Sequence, residues 1–153
     1  MIGPTAQGKS ALMRQYIGEK EPLFIRTRSF VSLSFSIATN GRILQNLMEK
    51  NFVKLNKNLI RPLEDKHQIF FFDDLNMARK DKWKISSACE LLRQFFDYGG
   101  WYNLEKIYFK KVKDVNFVMS ISSRSQKKLL VDERVGWHGG AIGVINFQGC
   151  HIE

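Results

Sequence analysis

Residues Gly3 to Ser10 read G-P-T-A-Q-G-K-S, and residues 69–74 read I-F-F-F-D-D. The first stretch has the residue types a phosphate cradle needs. Glycines let the backbone curl so that successive N–H groups face phosphate oxygens. A helix starting there adds the positive end of its dipole. The expected cradle is Gly3, Pro4, Thr5, Ala6, Gln7, Gly8, Lys9 and Ser10, with Lys9 reaching the β- and γ-phosphates and the Ser10 hydroxyl ligating Mg²⁺. The second stretch supplies the acids such a loop requires. Asp73, at the end of an apolar run, is placed to hold Mg²⁺ through water. Asp74 is placed to polarise the attacking water. The blander readings are a glycine turn entering a helix and two solvated acids at a strand end. Both motifs together, in this order, point instead to a nucleoside-triphosphate site. Many hydrolases of this kind carry Glu where Asp74 stands. A base displaced by about 1 Å loses on the order of a hundredfold in rate, so binding is expected to survive this change better than turnover.

These residues need a sheet and helices to hold them. Ala11, Leu12, Met13, Tyr16 and Ile17 predict a short helix after the loop, ending at Gly18. Phe30 to Phe35 alternates as a strand does, with Val31, Leu33 and Phe35 on one face. Asn40-Gly41 marks a turn, and Ile43, Leu44, Leu47, Met48 and Phe52 recur at helical spacing. The basic and polar residues up to Pro62 read as a connector. Ile69 to Phe72 suits a strand covered on both faces, and the stretch around RKDKWK a loop. Ser87-x-x-Glu90 has the spacing of a capping box, opening a helix whose apolar face is Leu91, Leu92, Phe95 and Phe96. Gly99-Gly100 stops it, and Val115 to Ile121 reads as another buried strand.

Strands alternating with helices predict an α/β fold: a P-loop NTPase of three α/β/α layers with a mainly parallel sheet. The core is expected over residues 1–124, with a divergent segment over 125–153. Only Met1 and Ile2 precede Gly3, so the usual first strand is expected to be missing. Each buried ladder group thereby left unpaired costs about 1–3 kcal/mol, against a net domain stability of roughly 5–15 kcal/mol. Ile142 to Phe147 is apolar enough to add a strand, which would fill the vacant place.

The 153 residues suit one domain, and 44% apolar with 25% charged residues is ordinary globular composition. The formal charge of +9 suits polyanionic partners, although the basic residues are scattered as on a solvated surface. Cys89 and Cys150 form neither a metal spacing nor a disulfide framework, which favours a reducing cytosolic compartment. His67, His138 and His151 lack a metal pattern and read as surface or loop histidines. No apolar run approaches the length of a membrane span, and no membrane partner is expected.

FFFDDLNMARKDKW, followed by CELLRQFFDYGGWYNL, resembles the dynein heavy chain at an AAA+ module of its motor ring, the third module of axonemal-type chains most of all. LSFSIAT at Leu33–Thr39 is similar to the family's second strand and the polar segment after it. The likeness covers residues 2–121. It implies a module of a microtubule motor that uses ATP and Mg²⁺, at a position whose nucleotide state gates the main hydrolytic module. Carried over, Gly3, Gly8, Lys9 and Ser10 grip phosphate and metal, Asp73 supports the metal and Asp74 acts on water. Asn76 lies in the same run and receives no chemistry. Leu91, Leu92, Phe95 and Trp101 are expected in the core. Arg93 faces either a neighbouring module or solvent. The implied partners are neighbouring AAA+ modules or dynein subunits and, indirectly, microtubules; the implied location is the axoneme of a cilium or flagellum. Three features depart from the family: the absent first strand; SSRSQKKLLVDERVGWHGG in place of a proline- and glycine-rich sensor loop; and a tail with no helical lid. No sensor role is assigned to Arg124.

Two other readings stand beside this one. The missing first strand and the divergent tail suit an inactive remnant serving only as an interaction module. KDKWK and IYFKKVK, basic residues beside aromatics, suit a nucleic-acid-associated P-loop ATPase, although they form no recognisable nucleic-acid motif.

Overall fold

The computed structural model describes residues 1–4, 8–18, 28–122 and 133–144. Three parallel strands form its centre: β2 (Arg28–Ser34), β5 (His67–Asp73) and β8 (Val115–Met119), with β5 in the middle. The phenylalanine run explains that placement. Phe70 and Phe72 point to one face and Phe71 to the other, and all three are buried. Phe117 on β8 stacks on Phe70 and Phe72, at 5.8 and 5.3 Å between ring centroids, while Phe71 stacks on Phe30 at 6.3 Å. A strand apolar on both faces has nowhere stable to lie except inside a covered sheet.

At Ser120 the chain leaves β5 and takes a new partner. The Ser120 N–H donates to the Phe72 carbonyl at 2.8 Å, and the next N–H, of Ile121, donates to the Met1 carbonyl at 2.9 Å. Strand β9 (Ile121–Ser122) then runs parallel to β1 (Ile2–Gly3). On its other side β1 meets residues 142–144. The Ile2 N–H donates to the Ile142 carbonyl at 2.8 Å, and the Val144 N–H donates to the Ile2 carbonyl at 2.7 Å. The order is therefore 142–144, β1, β9 continuing from β8, β5, β2, all parallel. The place expected to stand empty holds Ile2–Gly3, a two-residue strand satisfied on both edges. Residues 142–144 do add a parallel segment, but beside β1 rather than instead of it; residues 145–147 of that expected strand lie outside the described residues.

Two helices pack on this core, and another, opening from the glycine loop, stays mostly exposed. Helix α1 (Lys9–Gly18) follows the glycine loop. Helix α2 (Gly41–Glu49) is capped by Asn40, whose side chain accepts the Ile43 N–H at 2.9 Å, and it buries Leu44, Gln45 and Met48. Phe52, counted in the sequence with that helical face, lies instead on a strand. Helix α3 (Ser87–Tyr98) packs against α2 and stops at Gly99, whose φ of +69° is the left-handed conformation that glycine adopts without strain. The capping box does not form. The N-cap is Ser86, with no side-chain capping bond; Ser87 Oγ accepts the Gly41 N–H at 3.1 Å, and Glu90 bonds to Arg93. A one-turn helix, α4 (Glu133–Gly136), places Val135 in the core.

The supposed connector is a hairpin. Strands β3 (Phe52–Asn56) and β4 (Leu59–Pro62) pair antiparallel, and β4, β7 (Phe109–Val112) and β6 (Gly100–Tyr102) complete a second sheet in the order β3-β4-β7-β6. Lysines and asparagines mask the alternation, but Ile60 is buried and Phe52 packs at 5.9 Å from Phe70 and 6.2 Å from Trp101. The result is a small α/β domain of mostly parallel strands with helices, the fold class expected from the sequence.

Candidate functional site

The end of β1, the start of α1 and the end of β5 meet at one place. Gly3 is in register with Ser122 of β9. Beyond Pro4, residues 5–7 (Thr5, Ala6 and Gln7 of the expected cradle) lie outside the described residues. Gly8 has φ +71°, and α1 begins at Lys9, with the Leu12 N–H bonded to the Gly8 carbonyl at 2.7 Å. Lys9 is only 6% exposed. Its Nζ donates to the carbonyls of Gly3 at 3.0 Å and Pro4 at 2.6 Å, bridging the two ends of the loop.

The Ser10 hydroxyl donates to Asp73 Oδ2 at 2.5 Å. The other carboxylate oxygen, Oδ1, accepts the Ser120 hydroxyl, also at 2.5 Å. Ser120 is fully buried and was not singled out from the sequence; its only sign there is one hydroxyl within the apolar run V-N-F-V-M-S-I. Asp74 sits in the left-handed region (φ 53°, ψ 51°), which turns the chain sharply off β5 into a short 3₁₀ turn over Leu75–Met77. Aspartate is among the residues that tolerate this region. The Asp74 N–H donates to Ser120 Oγ at 3.0 Å, and the Leu75 N–H donates to the Ser120 carbonyl at 3.0 Å. Asn76, left without a role by the sequence, accepts the Ser122 N–H on Oδ1 at 3.0 Å. The acid turn is thus fastened to the strand that flanks the phosphate loop.

The donor set fits the groups the sequence implies. A buried ammonium at a helix N-terminus suits phosphate. A hydroxyl touching a carboxylate offers the hard oxygen ligands that Mg²⁺ prefers, and Mg²⁺ is ordinarily held by one or two carboxylates plus substrate phosphates. Among the described residues no group of three or more His, Cys, Asp or Glu side chains forms a protein-only cage. A cavity of about 660 Å³ lies elsewhere, walled by Asn40, Arg79–Trp83, Ile85 and Ser87, and no residue of the phosphate loop lines it.

Arg93 is engaged on its own helix, bonding Glu90 at 2.8 Å and Asp97 at 2.6 Å. The Glu90 hydrogen bond and charge, followed by those of Asp97, raise its pKa above the usual arginine value. His138 pairs with Asp97 at 3.1 Å and stacks on Phe96, while His67 stands 3.9 Å from Asp114. Leu92 and Trp101 are buried, and Leu91 and Phe95 pack against the same core. Arg124 and His151 lie outside the described residues.

Residues 1–146 match the model of the P-loop containing dynein motor region. The chain belongs to that family. It is 32% identical over 150 residues to dynein axonemal heavy chain 1 of Rattus norvegicus, a match covering 96% of this chain and 3% of the rat protein. Against dynein axonemal heavy chain 1 of Homo sapiens it is 31% identical over 140 residues, 90% of this chain and 3% of the human one. Against the dynein beta chain of the flagellar outer arm of Chlamydomonas reinhardtii it is 32% identical over 111 residues, 72% of this chain and 2% of that one. The chain therefore spans 2–3% of the length of these curated relatives. It is a dynein-type AAA+ module.

Proposed function

We propose that this dynein motor module binds Mg-ATP through Gly3–Ser10 and turns it over slowly, if at all, as a single chain. The observation that carries the reading is the junction of Lys9, Ser10 and Asp73 at the N-terminus of α1. Lys9 and the first N–H groups of α1 face the phosphates. Lys9 then exchanges its bonds to the Gly3 and Pro4 carbonyls for phosphate oxygens. Ser10 and Asp73 hold Mg²⁺, which when bound screens the phosphate charge. Asp74 orients water from the sharp turn after β5. Related phosphoryl-transfer sites gain roughly 10³–10⁵ in rate from an arginine finger, in some cases supplied by a neighbour. Assayed apart from any neighbouring module, these residues lack such a finger, which is why binding without efficient hydrolysis is the expected behaviour.

In this reading the module works as a regulatory nucleotide site, most like the third of the motor ring. Its partners are adjacent AAA+ modules or dynein subunits and, through them, microtubules. The named relatives are axonemal and flagellar chains, which supports a ciliary or flagellar setting. Titration with a fluorescent ATP analogue, with and without Mg²⁺, beside Lys9→Ala, tests the reading. Saturable, Mg²⁺-enhanced binding that the variant loses supports it. Equal signals from both proteins would mean that the loop is an inherited signature without use.

A further inference from the structure

Ser120 holds both acids at once. Its Oγ donates to Asp73 Oδ1 at 2.5 Å and accepts the Asp74 N–H at 3.0 Å, while its carbonyl takes the Leu75 N–H at 3.0 Å. It is also the residue at which the strand changes partner, from Phe72 of β5 to Met1 beside β1. One residue thereby links the acid turn to the strand bearing the phosphate loop. Two residues on, the Ser122 N–H bonds to Asn76 Oδ1 at 3.0 Å while Ser122 lies in register with Gly3.

We propose that Ser120 is a positioning residue for the Mg-nucleotide site, setting the orientation of the Asp73 carboxylate and fixing the turn that carries Asp74. This inference rests on the nucleotide reading above and deepens it. The Asp73 carboxylate has two oxygens and two hydroxyl donors. Ser10 belongs to the phosphate loop and is itself placed to ligate Mg²⁺, so its bond to Oδ2 is open to exchange. Ser120 is fully buried, and its bond to Oδ1 is the fixed one. With Oδ1 held, Oδ2 keeps facing the loop when Ser10 changes partner. The same hydroxyl satisfies the Asp74 N–H, a backbone donor at a left-handed residue where the β5 ladder has ended. Alanine at 120 removes the constraint on the carboxylate and leaves that N–H without its acceptor. Outer partners of metal-holding carboxylates typically affect metal affinity by about 10–100-fold.

The test is a Mg²⁺ titration of the fluorescent-ATP-analogue signal for the wild-type chain, Ser120→Ala and Ser120→Thr, with the same binding measured in EDTA and a thermal melt of each protein. Ser120→Ala is expected to raise the Mg²⁺ midpoint by about tenfold or more while leaving binding in EDTA within about twofold, because Lys9 and the helix terminus are untouched. Ser120→Thr keeps the hydroxyl and restores the midpoint. An unchanged midpoint in Ser120→Ala overturns the role of Ser120 alone. So does a parallel fall in EDTA binding, which marks a merely structural residue. Should Ser120→Ala fail to fold, Ser120→Cys, slightly larger than serine and a weaker donor, decides on the same two midpoints. A wild-type chain with no Mg²⁺-dependent binding overturns the nucleotide reading itself, and this inference with it.

Discussion

Ser10 and Asp73 lie 63 residues apart in sequence, yet the hydroxyl of one stands 2.5 Å from the carboxylate of the other. The parallel sheet creates that meeting. Strand β1 delivers the phosphate loop, and β5 delivers the acid to the same end of the sheet because both run in one direction with β8 and β9 between them. That contact is the one on which the proposed Mg²⁺ site rests.

Ser10→Ala should therefore separate metal from phosphate. The variant keeps Lys9 and the start of α1, so nucleotide binding in EDTA is expected to stay near wild type. The enhancement by Mg²⁺ should fall at least about tenfold, as metal sites do when an oxygen partner is lost. Titrating nucleotide at fixed Mg²⁺ and then in EDTA measures both. Equal losses under the two conditions would refute the division of roles between Ser10 and Lys9.

A second polar centre ties the end of α2 to the second sheet. Glu49 at the end of α2 accepts bonds from Gln45 at 2.9 Å, Trp101 Nε1 at 2.8 Å and the buried Lys110 at 2.8 and 3.0 Å. Burial alone would push the Glu49 carboxyl up. The hydrogen bonds from Lys110, Gln45 and Trp101, with the Lys110 charge, overcome that and hold it below its ordinary value of 4.5. A carboxyl whose pKa is lower folded than unfolded stabilises the fold fully above the unfolded value and loses that contribution as pH falls through the folded one. Stability is thus expected to decline below about pH 4.5. Glu49→Gln should flatten that acid limb and, by leaving Lys110 without its anion, cost about 1–3 kcal/mol at neutral pH. Urea unfolding of both proteins from pH 3 to 7 is the measurement (roughly the span of carboxylate titration). An acid limb unaltered by the substitution would exclude Glu49 as its source.

How much of this was legible follows from which signals are local. The phenylalanine strand and the Gly99 stop depend on neighbours in sequence, and each stands where the residues indicate. The β3–β4 hairpin was missed because β3 is mostly exposed and its lysines and asparagines look like a connector. The capping box failed because Ser87 serves Gly41, a residue 46 positions away that no local pattern reports. Ser120 and Asn76 were invisible as site residues for the same reason. A serine in a strand and an asparagine after two acids acquire their roles only once β8 and β5 lie side by side.

Gly3 shows what the close packing beside β1 demands. A Cβ built there would lie 2.6 Å from the Val144 carbonyl oxygen and 3.0 Å from the Val144 Cβ. Both neighbours are on the segment that pairs with Ile2, and backbone cannot step aside as a flexible side chain can. Gly3→Ala is expected to cost about 1–3 kcal/mol through overpacking and to loosen residues 142–144 first. Hydrogen exchange at the Val144 amide, bonded to the Ile2 carbonyl at 2.7 Å, reports that loosening directly. Unchanged protection there would show that the added Cβ is accommodated without loosening the segment.

Asp74 offers the sharpest separation of binding from chemistry. Its left-handed backbone (φ 53°, ψ 51°) constrains the choice of variant. Alanine at such a position is strained and would confuse a structural loss with a chemical one. Asparagine tolerates the conformation and matches the aspartate in size, but it cannot take a proton from water. Asp74→Asn should therefore melt close to wild type and bind Mg-nucleotide within about twofold, since Lys9, Ser10 and Asp73 are intact. Its turnover, read in a single-turnover assay because the wild-type rate is itself expected to be slow, should fall by about 10²–10⁴ if Asp74 is the base. A variant that hydrolyses as fast as the wild type would remove Asp74 from the chemistry and leave it as the residue that turns the chain.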